Sequence, residues 1–117
     1  MMTAEQDKKK KERILLEKQE DLQLSKRQLE KVQEDYQEQF YSSNRLFHEL
    51  KESFHGNDFA LLFEDIHEDL QKEQRVIIED LDEEREELTE QQVACQDELD
   101  ELYYEKKREA ADGEEES

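Results

Sequence analysis

The chain has 117 residues, of which 45% are charged and 32% hydrophobic, and its formal net charge is −19. This composition suits a long amphipathic helix or a coiled coil better than a globular domain with a large core. High net charge with few apolar residues is also typical of disordered chains, but here the apolar residues recur at helical spacing, which favours folded helices.

Other structural classes are excluded by features that the sequence lacks. No window alternates polar and apolar residues with period two, so strands are not expected. No apolar run approaches the roughly 20 residues that span a bilayer, so membrane insertion is not expected. The charged residues 1–13 contain no apolar signal-peptide core, which predicts a cytoplasmic chain without a Sec signal. A single cysteine, Cys95, excludes an internal disulfide.

The first predicted helix covers residues 12–54. Apolar residues lie on it at seven-residue intervals, at Leu15, Leu22, Leu29 and Tyr36. Val32, Leu46 and Leu50 are expected on the same stripe. Sustained heptads favour near-antiparallel packing against a second helix. Residues 1–11, before this pattern, are expected to form a flexible basic start.

The bend is predicted at residues 54–58. Gly56 is the only glycine outside the final residues, and the chain contains no proline. Glycine readily takes the left-handed conformation that ends a helix, and either Asn57 or Asp58 can cap the next helix. The tripeptide Phe54-His55-Gly56 therefore lies at the turn of a helical hairpin.

The second predicted helix covers residues 58–106. Its apolar stripe consists of Phe59, Phe63, Ile66, Leu70, Ile77, Leu81, Leu88, Cys95, Leu99 and Leu102. The sequence thus predicts an all-α fold, a coiled-coil-like antiparallel hairpin of two helices forming one domain over residues 12–106. Residues 107–117 are expected to be an acidic disordered tail.

Charge is divided unevenly between the two halves. Residues 1–57 hold 11 Lys and Arg against 12 Asp and Glu, whereas residues 58–117 hold 6 against 24. The acidic residues are densest over 79–90, where eight of twelve positions are Asp or Glu. Such a run is either a solvated face or a field that attracts a basic partner. Nucleic-acid binding is disfavoured by repulsion from phosphate, while mimicry of nucleic acid remains an alternative.

Aromatic residues gather around the bend, and all five Phe lie between residues 40 and 63. Leu61, Leu62 and Phe63 are consecutive and cannot all face inward. The surplus forms either a tighter local core or an apolar surface that contacts another helix. Because a two-helix core is thin, we expect a helical bundle with a partner chain, either another helical protein or a second copy. The predicted partner-binding residues are Phe40, Phe47, Phe54, Phe59, Leu62, Phe63 and Ile66.

No catalytic site is predicted. The chain has no Gly-rich phosphate loop, and its many carboxylates lie along exposed helices, where they do not gain the shifted pKa of an acid–base catalyst. His48 and His55 are seven residues apart, a wider spacing than the closer pairs normal in structural metal sites. We therefore expect no enzymatic activity, no cofactor and no metal.

With Phe54-His55-Gly56 between two helices, the chain resembles the WXG-type helical hairpins of type VII secretion systems. Those proteins carry Trp-x-Gly at the turn, and Phe54 here replaces the Trp. The resemblance covers about residues 12–105 and implies that Phe54 and Gly56 share the family's role, in which the turn aromatic packs against a partner hairpin. Exported members often carry Tyr-x-x-x-Asp/Glu, whereas here Lys107 follows Tyr103 at that spacing.

A hairpin without that export signal is similar to the α-helical proteins associated with LXG toxins. This resemblance implies a targeting factor, or adaptor chaperone, that binds the helical N-terminal domain of a toxin and is co-exported or left in the cytoplasm. One alternative is a generic coiled-coil scaffold or oligomerisation module. Another is a prefoldin-like coiled coil that inserts its bend into a larger machine, although the β-hairpins of prefoldin are missing.

Overall fold

The computed structural model describes residues 3–115, with side chains through residue 113. Helix α1 spans Ala4–Ser53 and helix α2 spans Asp58–Glu115. The two helices pack against each other as an antiparallel hairpin, and no strand occurs in this described range. The predicted all-α two-helix hairpin is confirmed, while its pairing with a partner chain stays a prediction.

Both helices extend beyond the predicted ends. α1 begins at Ala4 rather than near residue 12, because Thr3 caps it. The Thr3 hydroxyl accepts a hydrogen bond from the Gln6 backbone N–H at 3.2 Å, and the Gln6 side-chain oxygen accepts one from the Thr3 N–H at 3.1 Å. This reciprocal pair is a capping box, which satisfies two donors left free at a helix start.

α2 likewise continues to Glu115 rather than ending near residue 106. The described parts of the predicted flexible start and disordered tail, residues 4–11 and 107–115, are therefore helical. Thr3, which caps α1, is also described. Four residues of those predicted segments lie outside the described residues, namely Met1, Met2, Glu116 and Ser117.

The bend has the predicted backbone conformation. Gly56 has a φ of 81°, the left-handed region that glycine occupies without strain. Asn57 is the residue that caps α2, since its side-chain oxygen accepts a hydrogen bond from the Phe59 backbone N–H at 3.2 Å. The Asn57 N–H in turn donates to the Phe54 carbonyl at 3.0 Å, which closes the turn.

The hairpin divides into two compact units. The terminal unit comprises the described parts of Met1–Arg27 and Glu86–Ser117, and the bend unit is Gln28–Arg85. Each unit contains one segment of α1 packed against one segment of α2. In both, the inward positions recur at steps of three and four residues, as expected for coiled-coil packing.

The terminal unit has a small apolar core. Leu15, Leu22 and Cys95 are buried in contact with one another, and the half-buried Leu88 and Leu99 pack against them. Cys95 is 2% exposed, and its thiol donates a hydrogen bond to the Leu15 carbonyl at 3.2 Å. The cysteine therefore serves here as a small apolar core residue.

Polar side chains join the two helices of the terminal unit between its apolar positions. Gln19 donates to Gln96 at 2.7 Å, and Lys26 donates to Gln92 at 3.4 Å. Ion pairs link Lys8 with Glu105 and Glu109, and Lys106 with Glu12. Polar groups paired across the two helices specify register, because a slip would separate each donor from its acceptor.

The inward positions of the bend unit mix aromatic, aliphatic and polar residues. Leu29, His67 and Gln74 are buried. The half-buried apolar positions are Phe40, Phe47, Leu50, Ala60, Phe63, Leu70, Ile77 and Leu81. Five residues predicted on the buried stripes are instead exposed, namely Val32, Tyr36, Leu46, Phe59 and Ile66. Their places in the three-and-four spacing are taken by neighbours such as Phe47 and His67.

Candidate partner-binding site

On one side of the bend unit, a buried histidine lies between the two helices. His67 is 7% exposed and stacks on the Phe47 ring, with ring centroids 5.2 Å apart and planes 9° from parallel. Lys51 donates a hydrogen bond to its Nδ1 at 2.9 Å, and its Nε2 lies 2.8 Å from the Asn44 side-chain oxygen. The histidine thus joins α2 to two positions of α1.

These partners require neutral His67 with its proton on Nε2. The Lys51 ammonium can only donate, so Nδ1 must accept and Nε2–H must donate to Asn44. Burial chiefly, with the charges of Lys51 and His48, lowers the pKa of His67 below its usual 6.5. The hydrogen bonds and the lowered pKa favour the same neutral form.

Two further cross-helix contacts lie on the same side as His67. Gln33 donates to the Asp82 carboxylate at 3.1 Å, and Arg85 pairs with Glu30 at 3.6 Å. We call this side, with Asn44, Lys51 and His67, the bonded flank. In these contacts, the polar groups of one helix are hydrogen-bonded or ion-paired to polar groups of the other.

The opposite side of the bend unit carries exposed apolar residues. Phe59, Leu62 and Ile66 recur on α2 at steps of three and four, and they are 54%, 51% and 43% exposed. Ile66 lies about 100° around α2 from His67, and the half-buried Phe63 and Leu70 lie between their directions.

Exposed Leu46 contributes to this side from α1, because it lies about 200° around the helix from Asn44. We call Leu46, Phe59, Leu62 and Ile66 the apolar flank.

The apolar flank is anchored at the bend by an aromatic cluster. Phe54 lies 6.0 Å from Phe59 in an edge-on arrangement and 5.3 Å from Phe63, measured between ring centroids. Such geometries are favourable for aromatic pairs. Phe54 therefore links the bend, the half-buried Phe63 and the exposed Phe59 into one surface.

Farther from the bend, the same stripe of α2 becomes acidic. After Phe59, Leu62 and Ile66, the three-and-four spacing passes through Asp69, Glu73, Val76, Asp80 and Glu84, all exposed, so that a single apolar residue interrupts four carboxylates. Within the described range, none of these four carboxylates has an ion-pair partner. One continuous stripe therefore runs from apolar side chains to side chains that are mainly carboxylates without ion-pair partners.

The seven predicted partner-binding residues fall into two groups. Phe40, Phe47 and Phe63 are half-buried between the helices, where Phe40 packs on Tyr36 with ring centroids 5.6 Å apart. The exposed group, which is available to another molecule, consists of Phe54, Phe59, Leu62 and Ile66. Binding of a partner by these residues stays a prediction.

The sequence reasoning overlooked the buried polar residues. His67 and Gln74 lie at the three-and-four spacing set by Phe63, Leu70 and Ile77, so their position in the pattern indicates inward side chains. They were missed because only apolar residues were assigned to inward positions. The Gln74 amide nitrogen has no hydrogen-bond partner among the described atoms, which is costly for a buried donor.

The two histidines considered as metal ligands lie elsewhere. His48 pairs with Glu52 at 3.3 Å on the surface of α1, and His55 lies exposed in the bend. Among the described side chains, no group of three or more His, Cys, Asp or Glu is placed to hold a metal ion. Neither described helix is long and apolar enough to cross a membrane.

These features define a helical hairpin that has polar side chains between its helices and an exposed apolar flank beside its bend. Residues 6–109 match the sequence model of a family described as "Protein of unknown function (DUF3958)". Because this match covers most of the chain, the protein belongs to that family. No curated protein and no solved structure matches it.

Proposed function

We propose that this chain is a non-enzymatic adaptor that binds the helical N-terminal domain of an LXG-type toxin and presents it for type VII secretion. The supporting observation is the aromatic-x-Gly bend bordered by an exposed apolar flank. Phe54 and Gly56 lie at the turn, and Phe59, Leu62 and Ile66 follow on one stripe of α2. Contiguous exposed apolar surface of this kind typically marks a protein interface.

In this proposal the apolar flank supplies affinity and the acidic residues 79–90 supply orientation and association rate. Burying apolar area contributes roughly 25 cal/mol per Å² before ordering costs are subtracted. Exposed charge pairs contribute about 0–1 kcal/mol each and are screened by salt. The toxin domain is therefore held mainly through Phe59, Leu62 and their neighbours.

Co-purification of the helical N-terminal domain of an LXG-type toxin tests the apolar contact. The double variant Phe59→Ala with Leu62→Ala should lose the toxin domain at every salt concentration. Leu61→Ala with Tyr41→Ala is the matched control, since both residues are exposed but lie off the apolar flank. Retention of the toxin by the first variant, or equal loss from both, would contradict the proposal.

Stopped-flow association of the same toxin domain tests the role of charge. Reversing Glu83, Glu84, Glu86 and Glu87 to Lys should slow association at low salt and have far less effect at high salt. If this reversal abolishes binding at all ionic strengths while the variant Phe59→Ala with Leu62→Ala still binds, the interface lies on the acidic segment instead.

Deletion of the gene tests the cellular role. Export of one cognate toxin should stop while its synthesis continues, and the adaptor should be found in the cytoplasm or exported with the toxin. Normal export without this gene would remove the support for an adaptor.

A generic coiled-coil oligomerisation or scaffold protein is the second candidate. The observation that favours it is the regular three-and-four spacing with paired polar groups, such as Gln19–Gln96, which is typical of coiled coils. Light scattering separates the two, because a scaffold of this kind forms a stable oligomer on its own. A monomer that becomes a hetero-complex with the toxin domain supports the adaptor.

A further inference from the structure

We infer that the apolar flank receives a helix with apolar residues toward one end and Lys or Arg toward the other, laid along α2 with its apolar end at the bend. This inference rests on the proposed function and specifies the chemistry of the partner. It fixes which side of the hairpin is covered and which part of the partner helix faces the bend.

The polarity follows from the stripe on α2. Its first part consists of Phe59, Leu62 and Ile66, and its continuation at the same spacing is mainly acidic, with Asp69, Glu73, Asp80 and Glu84 interrupted only by Val76. A helix that binds in a groove presents anchors at steps of three and four residues. A partner matched to this stripe therefore has apolar anchors near the bend and cationic ones beyond them.

The choice of side follows from the contacts between the helices. On the bonded flank, Asn44 and Lys51 are held by His67, and Gln33 by Asp82. A helix docking there would have to replace these contacts and desolvate charged groups. On the apolar flank, docking covers Leu46, Leu62 and Ile66, whose contact with water is unfavourable.

The choice of a basic partner over a second copy follows from charge. Two copies would bring together chains of net charge −19 each. The carboxylates that continue the apolar flank, such as Asp69 and Glu73, have no ion-pair partner within the described residues, so a cationic helix gains new pairs there. A second acidic chain would instead add repulsion at the same positions.

The probe is a synthetic amphipathic helix of about 20 residues, with Leu along one stripe of its first half and Lys along the same stripe of its second half. The control peptide has the same composition, with Leu and Lys intermixed along the stripe. Fluorescence anisotropy of labelled peptides measures both affinities for the full chain. The segregated peptide should bind about tenfold more tightly, because only it matches apolar anchors and charges together.

Matched variants of the protein locate the binding surface. Leu62→Ala should weaken the segregated peptide about tenfold, and Leu61→Ala should leave it unchanged, although Leu61 is the more exposed at 67%. Asp69→Lys with Glu73→Lys should weaken binding several-fold at low salt, whereas Glu64→Lys with Glu68→Lys, the same change in net charge on another side of α2, should not. Circular dichroism confirms that every variant remains helical.

Equal binding of the two peptides, or no binding of either, would overturn the inference. Equal effects of Leu62→Ala and Leu61→Ala would also overturn it, because binding would then not depend on the apolar flank. Equal effects of the two charge-reversal variants would do the same, because a general negative field would then explain the binding. Sedimentation that shows a homodimer dispersed by Leu62→Ala would assign the flank to a second copy. Tight binding of the segregated peptide by a chain that fails to co-purify the toxin would reject the proposed function and retain the docking geometry.

Discussion

The terminal unit and the bend unit bury different kinds of side chain. In the terminal unit, leucines and Cys95 are buried, and ion pairs such as Lys106–Glu12 lie at the edges. In the bend unit, His67 and Gln74 are buried as well as Leu29, and eleven large apolar residues are exposed, against six among the described residues of the terminal unit. The first arrangement is typical of a core that holds two helices together, and the second is expected where a protein binds a partner.

The largest difference should appear when one leucine is truncated in each unit. Leu22→Ala in the terminal unit should lower the free energy of unfolding by about 2–3 kcal/mol, because Leu22 is buried in the core. Leu62→Ala in the bend unit should change it by less than about 0.5 kcal/mol. Chemical denaturation of both variants measures this, and similar losses would mean that Leu62 is a structural residue and not part of an open flank.

Removal of the buried histidine should have the next largest effect. His67→Ala leaves Asn44 and Lys51 without their shared partner and exposes one face of Phe47, so stability should fall by about 1–3 kcal/mol. His48→Ala is the control, because His48 lies on the surface in a pair with Glu52 that contributes little. Equal losses from the two variants would show that burial at His67 has no special role.

The bend itself can be tested through Gly56. Gly56→Ala should cost about 1–2 kcal/mol, because an L-residue at a φ of 81° is strained even though no atom lies near the added Cβ. Gly113→Ala places the same methyl group within α2, where it should be neutral or slightly stabilising. Thermal unfolding of the pair checks the prediction, and a neutral Gly56→Ala would mean that the left-handed turn is not required.

A smaller effect is expected from pH. Because the folded state lowers the pKa of His67, the unfolded chain binds its proton more readily. The contribution of this residue is complete above the unfolded value near 6.5 and is lost as the pH falls below it. Denaturation curves of the native chain and of His67→Gln should therefore converge as the pH drops from 7 towards 5. Parallel curves would contradict a neutral buried His67.

The sequence predicted the hairpin because its strongest signals are local. Heptad leucines such as Leu15 and Leu22 predict the helices, and Gly56, the only glycine in the interior of the chain, predicts the left-handed turn between them. The helix ends were placed too far inward, although Thr3 and Gln6 form a capping box that is readable in the sequence. A charged first turn resembles a disordered segment until its cap is recognised.

The candidate site was only partly predictable. The excess of aromatic residues near the bend was visible in the sequence. Which of them are half-buried, such as Phe47 and Phe63, and which are exposed, such as Phe59, depends on the direction that each helix turns toward the other. That direction is set by cross-helix polar contacts. The hydrogen bond between Asn44 and His67 joins residues 23 positions apart, a pairing that periodicity alone does not reveal.

Hydrogen exchange of the full chain, alone and with the proposed partner, an LXG-type toxin domain, tests most directly whether the bend unit is the binding end. We predict new protection in the bend unit, strongest around residues 59–66 of α2 and near Leu46, with the terminal unit unchanged. Protection confined to the terminal unit, for example to its residues 86–105, would contradict the account and place the interface in that unit.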